Sequence, residues 1–157
     1  MILRKYRSND CPEMLKLFYD TVHEINKKDY SSEQLDAWTS GIIFDKWDKS
    51  FLSNNTIVAE NNGIIAGFGD MDRNGYLDRL YVNKDYQNIG IGSAIINELE
   101  KTAVSNGVFC FTTYSSITAK PFFIKHYYRV LKENTVLKNG IEMRNYFMEK
   151  YYSERAF

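Results

Sequence analysis

The sequence predicts a mixed α/β fold, a mostly antiparallel sheet of about seven strands with four or so helices on its two faces. Three observations lead there. Apolar residues recur at helical spacing through roughly the first fifty positions, whereas from Asn55 onward they alternate in short runs. Turn signals such as Asn61-Asn62-Gly63 and Asn139-Gly140 separate those runs and favour hairpins. Amid the hairpins, one strand–helix–strand unit spans residues 76–114, so a single parallel step across a long helix is expected within otherwise antiparallel pairing.

Taken in order, residues 2–7 alternate around Ile2, Leu3 and Tyr6 and read as an edge-like strand. Asn9 or Asp10 then caps a helix, with Pro12 tolerated in its first turn and Glu13 favoured near its positive end. Met14, Leu15, Leu17, Phe18, Val22 and Ile25 form its apolar side. Ser31 or Ser32 opens a second helix, because Ser31-Ser32-Glu33-Gln34 has the pattern of a capping box; Gly41 ends it. A third helical segment covers 45–52. Strands follow at 56–60, 64–71 and 76–82, then a long helix from Gly90 to Ser105, which Asn106-Gly107 terminates. The near-continuous apolar run Val108–Tyr114 reads as a strand buried on both faces. A short helix at 118–125 and two hairpin strands, about 128–137 and 141–149, complete the chain.

The chain has 157 residues, which fits one domain, expected to span 1–157. Hydrophobic residues make up 44% and charged ones 25%, the balance of an ordinary globular protein. Aromatic residues reach 15%, enough that some rings should line a cleft or an interface. Twenty basic residues balance twenty acidic ones without any basic run, which argues against a duplex nucleic-acid partner. The apolar runs are far shorter than a membrane span, so no membrane partner is expected. Met1 leads into a polar, strand-like start rather than a charged-then-apolar leader. Cys11 and Cys110 are too few for a disulfide framework, and a cytoplasmic location is expected. His23 and His126 lack metal-ligand spacing with either cysteine, so no metal site is expected.

The stretch that carries chemistry runs from Leu80-Tyr81-Val82 through a polar loop into Gln87-Asn88-Ile89-Gly90-Ile91-Gly92-Ser93. Glycines admit a close backbone approach, and a helix start presents unpaired N–H groups with partial positive charge; a phosphate or pyrophosphate suits such a place. The Gly-x-x-x-x-Gly-Lys-[Ser/Thr] loop is absent. A dinucleotide fingerprint needs a small residue where Ile95 stands, and an acidic residue where Thr112 and Thr113 stand.

These residues resemble the [Gln/Arg]-x-x-Gly-x-[Gly/Ala] signature of the GNAT superfamily of acyl-CoA-dependent N-acyltransferases, with Gln87, Gly90 and Gly92 filling it. The order of elements matches that family over nearly the whole chain. The resemblance implies acetyl-CoA as co-substrate, its pyrophosphate on the amides of Gln87, Asn88, Ile89, Gly90, Ile91, Gly92 and Ser93. It also implies that the fourth and fifth strands splay apart. The pantetheine arm would then lie along the strand Leu80-Tyr81-Val82, on the backbone of Leu80 and Val82, facing Thr112–Tyr114, with Thr113 and Phe122 among its contacts.

Such proteins use direct attack by an amine in a ternary complex, with a carboxylate or a water chain as base. Alternation places Tyr76, Asp78, Leu80 and Val82 on one face, which makes Asp78 the first candidate base and Asp70 the second. Many members carry a tyrosine in Ala-x-x-Phe-Tyr-x-x-x-Gly-Phe; here Phe123 takes the tyrosine position and Tyr127 the glycine position. The tyrosine's role therefore does not carry over: Tyr127, Tyr114 and His126 are the candidate acids, or the thiolate leaves without a dedicated one. Cys110, within an apolar run, reads as inert packing. Trp38, Trp47 and Phe51 read first as core and second as an aromatic acceptor wall. The acceptor implied is a primary amine of a small molecule or protein, and Asp70, Asp72 and Asp78 would suit a polycation if they met in one cleft. The rival function is a CoA-binding module without turnover. The aromatic tail (Tyr146, Phe147, Tyr151, Tyr152 and Phe157) fits either a homodimer interface or inward packing, and the sequence does not choose between them.

Overall fold

A computed structural model describes residues 1–153. Phe157, expected in the aromatic tail, lies outside them. The elements follow the order β1 (Ile2–Lys5), α1 (Cys11–Ile25), α2 (Ser32–Thr39), α3 (Phe44–Ser53), β2 (Asn55–Asn61), β3 (Ile64–Met71) and β4 (Tyr76–Val82). After them come α4 (Ile91–Ser105), β5 (Cys110–Ser116), α5 (Lys120–Lys125), β6 (Arg129–Lys138) and β7 (Ile141–Tyr151). The seven strands form one sheet in the order β1-β2-β3-β4-β5-β7-β6. Every neighbouring pair is antiparallel except β4–β5, the parallel step across α4.

Local chemistry explains the boundaries. Ser31 accepts from the Gln34 amide at 3.1 Å and Gln34 accepts from the Ser31 amide at 2.9 Å, which completes the capping box at α2. Asp10 stands at the N-terminus of α1, but its carboxylate turns to Arg4, with two contacts of 2.8 Å, and to the Arg7 amide. It thus pins β1 to α1.

Two apolar layers sandwich the sheet. On one face α4 packs Ile91, Ile95, Ile96 and Leu99 against Leu77, Phe111, Phe123 and Met148. Gly69 makes that closeness feasible, since a Cβ there would lie 2.9 Å from Ile95 and 3.0 Å from Leu80. On the other face α1, α2 and α3 bury Met14, Phe18, Leu35 and Phe51 over Val58 and Phe68.

Two expectations need correcting. The strand expected at Val108–Tyr114 begins two residues later and is not buried on both faces: Phe109 is 54% and Tyr114 43% exposed. Helices cover the sheet around Phe111 and Thr113 on one side only. The second correction concerns β4. Asp70 pairs with Arg79 and Met71 with Leu77, so Asp78 is an extra, bulged residue. Simple alternation fails there. Leu77, Leu80 and Val82 face α4, while Tyr81 joins the layer under α1 and α2.

Gly75 fixes where β4 and β5 come together. Its φ is +90°, its carbonyl accepts from the Thr112 amide at 3.0 Å, and a Cβ would lie 2.4 Å from the Cys110 carbonyl oxygen. Gly75→Ala is expected to lose about 2 kcal/mol or more, read by urea unfolding, since both the left-handed conformation and the clash oppose a side chain.

Candidate active site

The parallel register of β4 and β5 ends after two rungs, Tyr76 with Thr112 and Leu77 with Thr113. The Thr113 hydroxyl donates to the Leu77 carbonyl at 2.9 Å and closes the last of them. Beyond that point the strands separate, and 78–82 on β4 have no β5 partner. The Asn83 amide donates to Ala66 at 2.8 Å, so main-chain groups of that parity serve β3. Those of Leu80 and Val82 therefore point into the gap. The Val82 carbonyl is occupied there by the Gln87 side-chain amide at 2.7 Å and the Thr21 hydroxyl at 3.0 Å. Gln87 thus braces the turn between β4 and α4.

At the far end of the gap, Asn88 (φ 61°) and Gly90 (φ 89°) turn the chain left-handed into α4. Gly90 is its N-cap; among the described residues, no side chain caps the helix and nothing lies within 4 Å of where a Gly90 Cβ would project. The first amides of a fifteen-residue helix consequently face outward, where an anion is favoured. Ile89 is 67% exposed on this turn, whereas the Ile91 side chain is core and contributes only its amide. A Gly92 Cβ would lie 3.2 Å from Phe122, so the glycine lets that ring close on the helix start. Phe122 stacks at 4.4 Å on His126, whose Nε2 lies 2.9 Å from the Ser93 hydroxyl. Burial first, then Lys150 and Lys125, lower the His126 pKa and hold its imidazole neutral.

On the opposite face of β4 lies a cavity of about 450 Å³, walled by Phe18, Trp38, Trp47 and Tyr81, with Asp78 and Arg79 on β4 and Leu137–Asn139 from the β6–β7 hairpin. Asn139 donates to the Ala37 carbonyl at 2.9 Å and to the Ser40 hydroxyl at 2.8 Å, which fixes the hairpin as its cover. Asp78 is the accessible carboxylate of this cavity, its side chain 41% exposed, and its bulge position turns it there. Arg79 sits behind it at 3.4 Å. The guanidinium also bonds both oxygens of Asp70, lies 4.9 Å over Trp47 and 4.3 Å over Phe51, and donates to Ser50.

The sequence-derived candidates therefore separate. Asp78 lies in the cavity. Asp70 does not: it is fully buried beneath Arg79 and Asn54, so the second candidate base is a structural anion. Burial pushes its carboxyl up, while the Arg79 guanidinium and the Asn54 amide, donating to its two oxygens, favour the anion. Asp72 caps its own turn by accepting from the amides of Asn74 and Tyr76. The acidic trio does not converge. Tyr127, 67% exposed in a left-handed conformation (φ 72°) at the end of α5, is not part of the cavity wall, and His126 belongs to the helix start. Tyr81, expected with the cofactor, bonds β3 through its main chain and gives its ring to the cavity. Trp38 and Trp47 line the cavity as well as the core. Sequence reasoning missed the roles of Arg79 and the hairpin, and it missed Tyr76. The Tyr76 phenol lies beside Tyr114, ring centroids 6.3 Å apart, and burial, then Asp78 and Tyr114, push it up to about 12. So tightly held a proton suits hydrogen bonding better than acid catalysis.

Residues 26–150 match the acetyltransferase (GNAT) domain family. The chain is 28% identical to the uncharacterized N-acetyltransferase YafP of Escherichia coli over 146 residues, 93% of each protein. It is 31% identical to a GCN5-related N-acetyltransferase from Rhodopseudomonas palustris, whose crystal structure aligns at a TM-score of 0.93 over 96% of this chain and 95% of that one. The PaiA N-acetyltransferase of Thermoplasma acidophilum, solved with coenzyme A, shares the fold at a TM-score of 0.81 and 18% identity, over 96% of this chain and 98% of that one. With the splayed strands, the glycine-started helix and these likenesses together, the chain belongs to the GNAT acetyltransferase family.

Proposed function

We propose that this protein transfers an acetyl group from acetyl-CoA to a primary amine by direct attack in a ternary complex. The observation that carries the reading is the gap between β4 and β5, with an uncapped helix start at one end and the Asp78 carboxylate beside it. The amides after Gly90 would hold the pyrophosphate, and the main chain of Leu80 with the Val82 amide the pantetheine arm. Coenzyme A in the PaiA structure supports that donor.

In the reaction the amine nitrogen bonds to the thioester carbonyl carbon and the carbon–sulfur bond breaks. A nitrogen that enters as ammonium gives up two protons, one before it attacks and one after the carbon–nitrogen bond has formed; the departing CoA sulfur takes up one and water carries off the other. Asp78 is placed to accept a proton from the amine, directly or through water. The family's usual tyrosine is Phe123 here, buried at 4% exposure, which favours departure of the thiolate without a dedicated acid. The same residue is the specific support for the rival reading, a CoA-binding protein without turnover.

Calorimetry with acetyl-CoA tests the donor site. Gly90→Glu with Gly92→Glu should weaken binding at least 100-fold, through bulk and charge at the helix start. Ile89→Glu, which strains nothing at the exposed turn, should weaken it in the same direction. Absence of wild-type binding sinks both readings; binding without acetylation of any amine leaves the rival.

A further inference from the structure

We infer that the acceptor is a monocationic amine on an aromatic body, and that the cavity selects against polyamines. The inference rests on the transferase reading only for the fate of that amine; the preference itself is a property of the cavity.

Among the described residues, the charges lining and backing the cavity sum close to zero. Asp78 is the accessible anion, Arg79 is neutralised by Asp70 and Asp78, and Lys138 adds a cation at the hairpin rim. A polycation needs several convergent carboxylates, and here Asp70 is buried in its ion pair while Asp72 serves its own turn. A second ammonium on the ligand would meet Lys138. One ammonium beside Asp78 is the charge the cavity accommodates.

The walls specify the rest of the molecule. Phe18 packs on Trp47 and on Tyr81 at 4.9 Å in both cases, and Trp38 packs edge-on to Tyr30 at 5.3 Å, so the rings hold one another in place. Arg79 already occupies the Trp47 face, so the half-buried rings of Trp38 and Tyr81, the latter backed by Phe68, supply the remaining aromatic wall. The hairpin is locked to Ala37 and Ser40 through Asn139, and a volume of about 450 Å³ suits one small, flat body.

The chain's two tryptophans both line the cavity, so intrinsic fluorescence reports occupancy without any turnover. Titrations of the CoA-loaded protein with 2-phenylethylamine, butylamine and spermidine compare an aromatic monocation, an aliphatic monocation and a polycation. The expected result is 2-phenylethylamine binding at least tenfold more tightly than either of the others, with most of that advantage lost in Trp38→Ala. Lys138→Glu should improve spermidine relative to wild type, a change on an exposed rim that leaves the fold intact. Equal or tighter wild-type binding of spermidine or butylamine overturns the inference. If acetyl-CoA fails to bind in the calorimetry above, the transferase reading falls by itself. The same amine titrations on the free protein still decide the preference.

Discussion

Asp78→Asn should lower kcat/KM for acetyl transfer by about 10²- to 10⁴-fold at pH 7, the usual range for a positioned proton acceptor. At that pH an alkylamine with a lysine-like pKa of about 10.4 is neutral in only about one molecule in 2,500, so a nearby carboxylate matters most there. Asparagine keeps the size and a hydrogen-bonding oxygen, which isolates the charge. The deficit should therefore shrink as pH rises from 7 towards the amine's own pKa, where neutral amine arrives without help. A deficit that stays constant across that range assigns Asp78 to orienting the amine rather than taking its proton. Acetyl-CoA binding should be unchanged in the variant, because Asp78 lies at the aromatic-walled cavity and not at the start of α4.

Arg79 shapes that outcome from behind. It is buried between Asp70 and Asp78, and although burial opposes its charge, Asp70 and then Asp78 raise its pKa. The cation stays fixed and lends Asp78 a partner on one side only, leaving the other side to the ligand. This arrangement depends on the bulge, since without the extra residue Asp78 and Arg79 would point to opposite faces of the sheet.

Much of this was legible in the sequence. Strands 64–71 and 76–82 have the boundaries their alternation and turns predict, and the Ser31–Gln34 box closes as its spacing implies. The Gln87-Asn88-Ile89-Gly90 turn was legible because positive-φ positions demand particular residues, here Asn88 and Gly90. What failed was whatever depends on partners remote in sequence. A bulge is set by the neighbouring strand, so nothing in Tyr76–Val82 announces that Asp78 breaks the alternation. Asp70 reads as a cleft carboxylate until Asn54 and Arg79 are seen to enclose it. The cover of the cavity comes from a hairpin nearly a hundred residues beyond α2, through the contact of Asn139 with Ser40. The edge-on cluster of Tyr76 and Tyr114 likewise appears only once β4 and β5 are side by side.

Lys150→Met is expected to destabilise the protein by about 3–5 kcal/mol, the consequence of stranding a buried charge. Lys150 and Glu100 are 2% and 0% exposed, and Nζ lies 2.6 Å from Oε1. The other Glu100 oxygen accepts from the Tyr128 hydroxyl at 2.6 Å, so α4, β7 and the chain leaving α5 meet at one carboxylate. Without the ammonium, that carboxylate loses its counter-ion in an apolar layer formed by Leu99, Phe123 and Met148. For a chain of this size the change should appear as a fall in Tm of about 6–20 °C, and as an earlier urea midpoint at an unchanged slope. Removing both charges and the hydroxyl together, as Glu100→Leu, Lys150→Met and Tyr128→Phe, should restore most of the stability, because the Glu100 carboxylate is removed together with the ammonium and the hydroxyl that bond it. If the triple variant is instead as unstable as Lys150→Met, the loss comes from packing and not from charge. Acetyl-CoA affinity separates the two effects further. Glu100 lies two turns beyond Ser93 on the helix whose first amides face the gap, so a loosened α4 should bind acetyl-CoA more weakly and the repaired triple variant should bind it nearly as wild type.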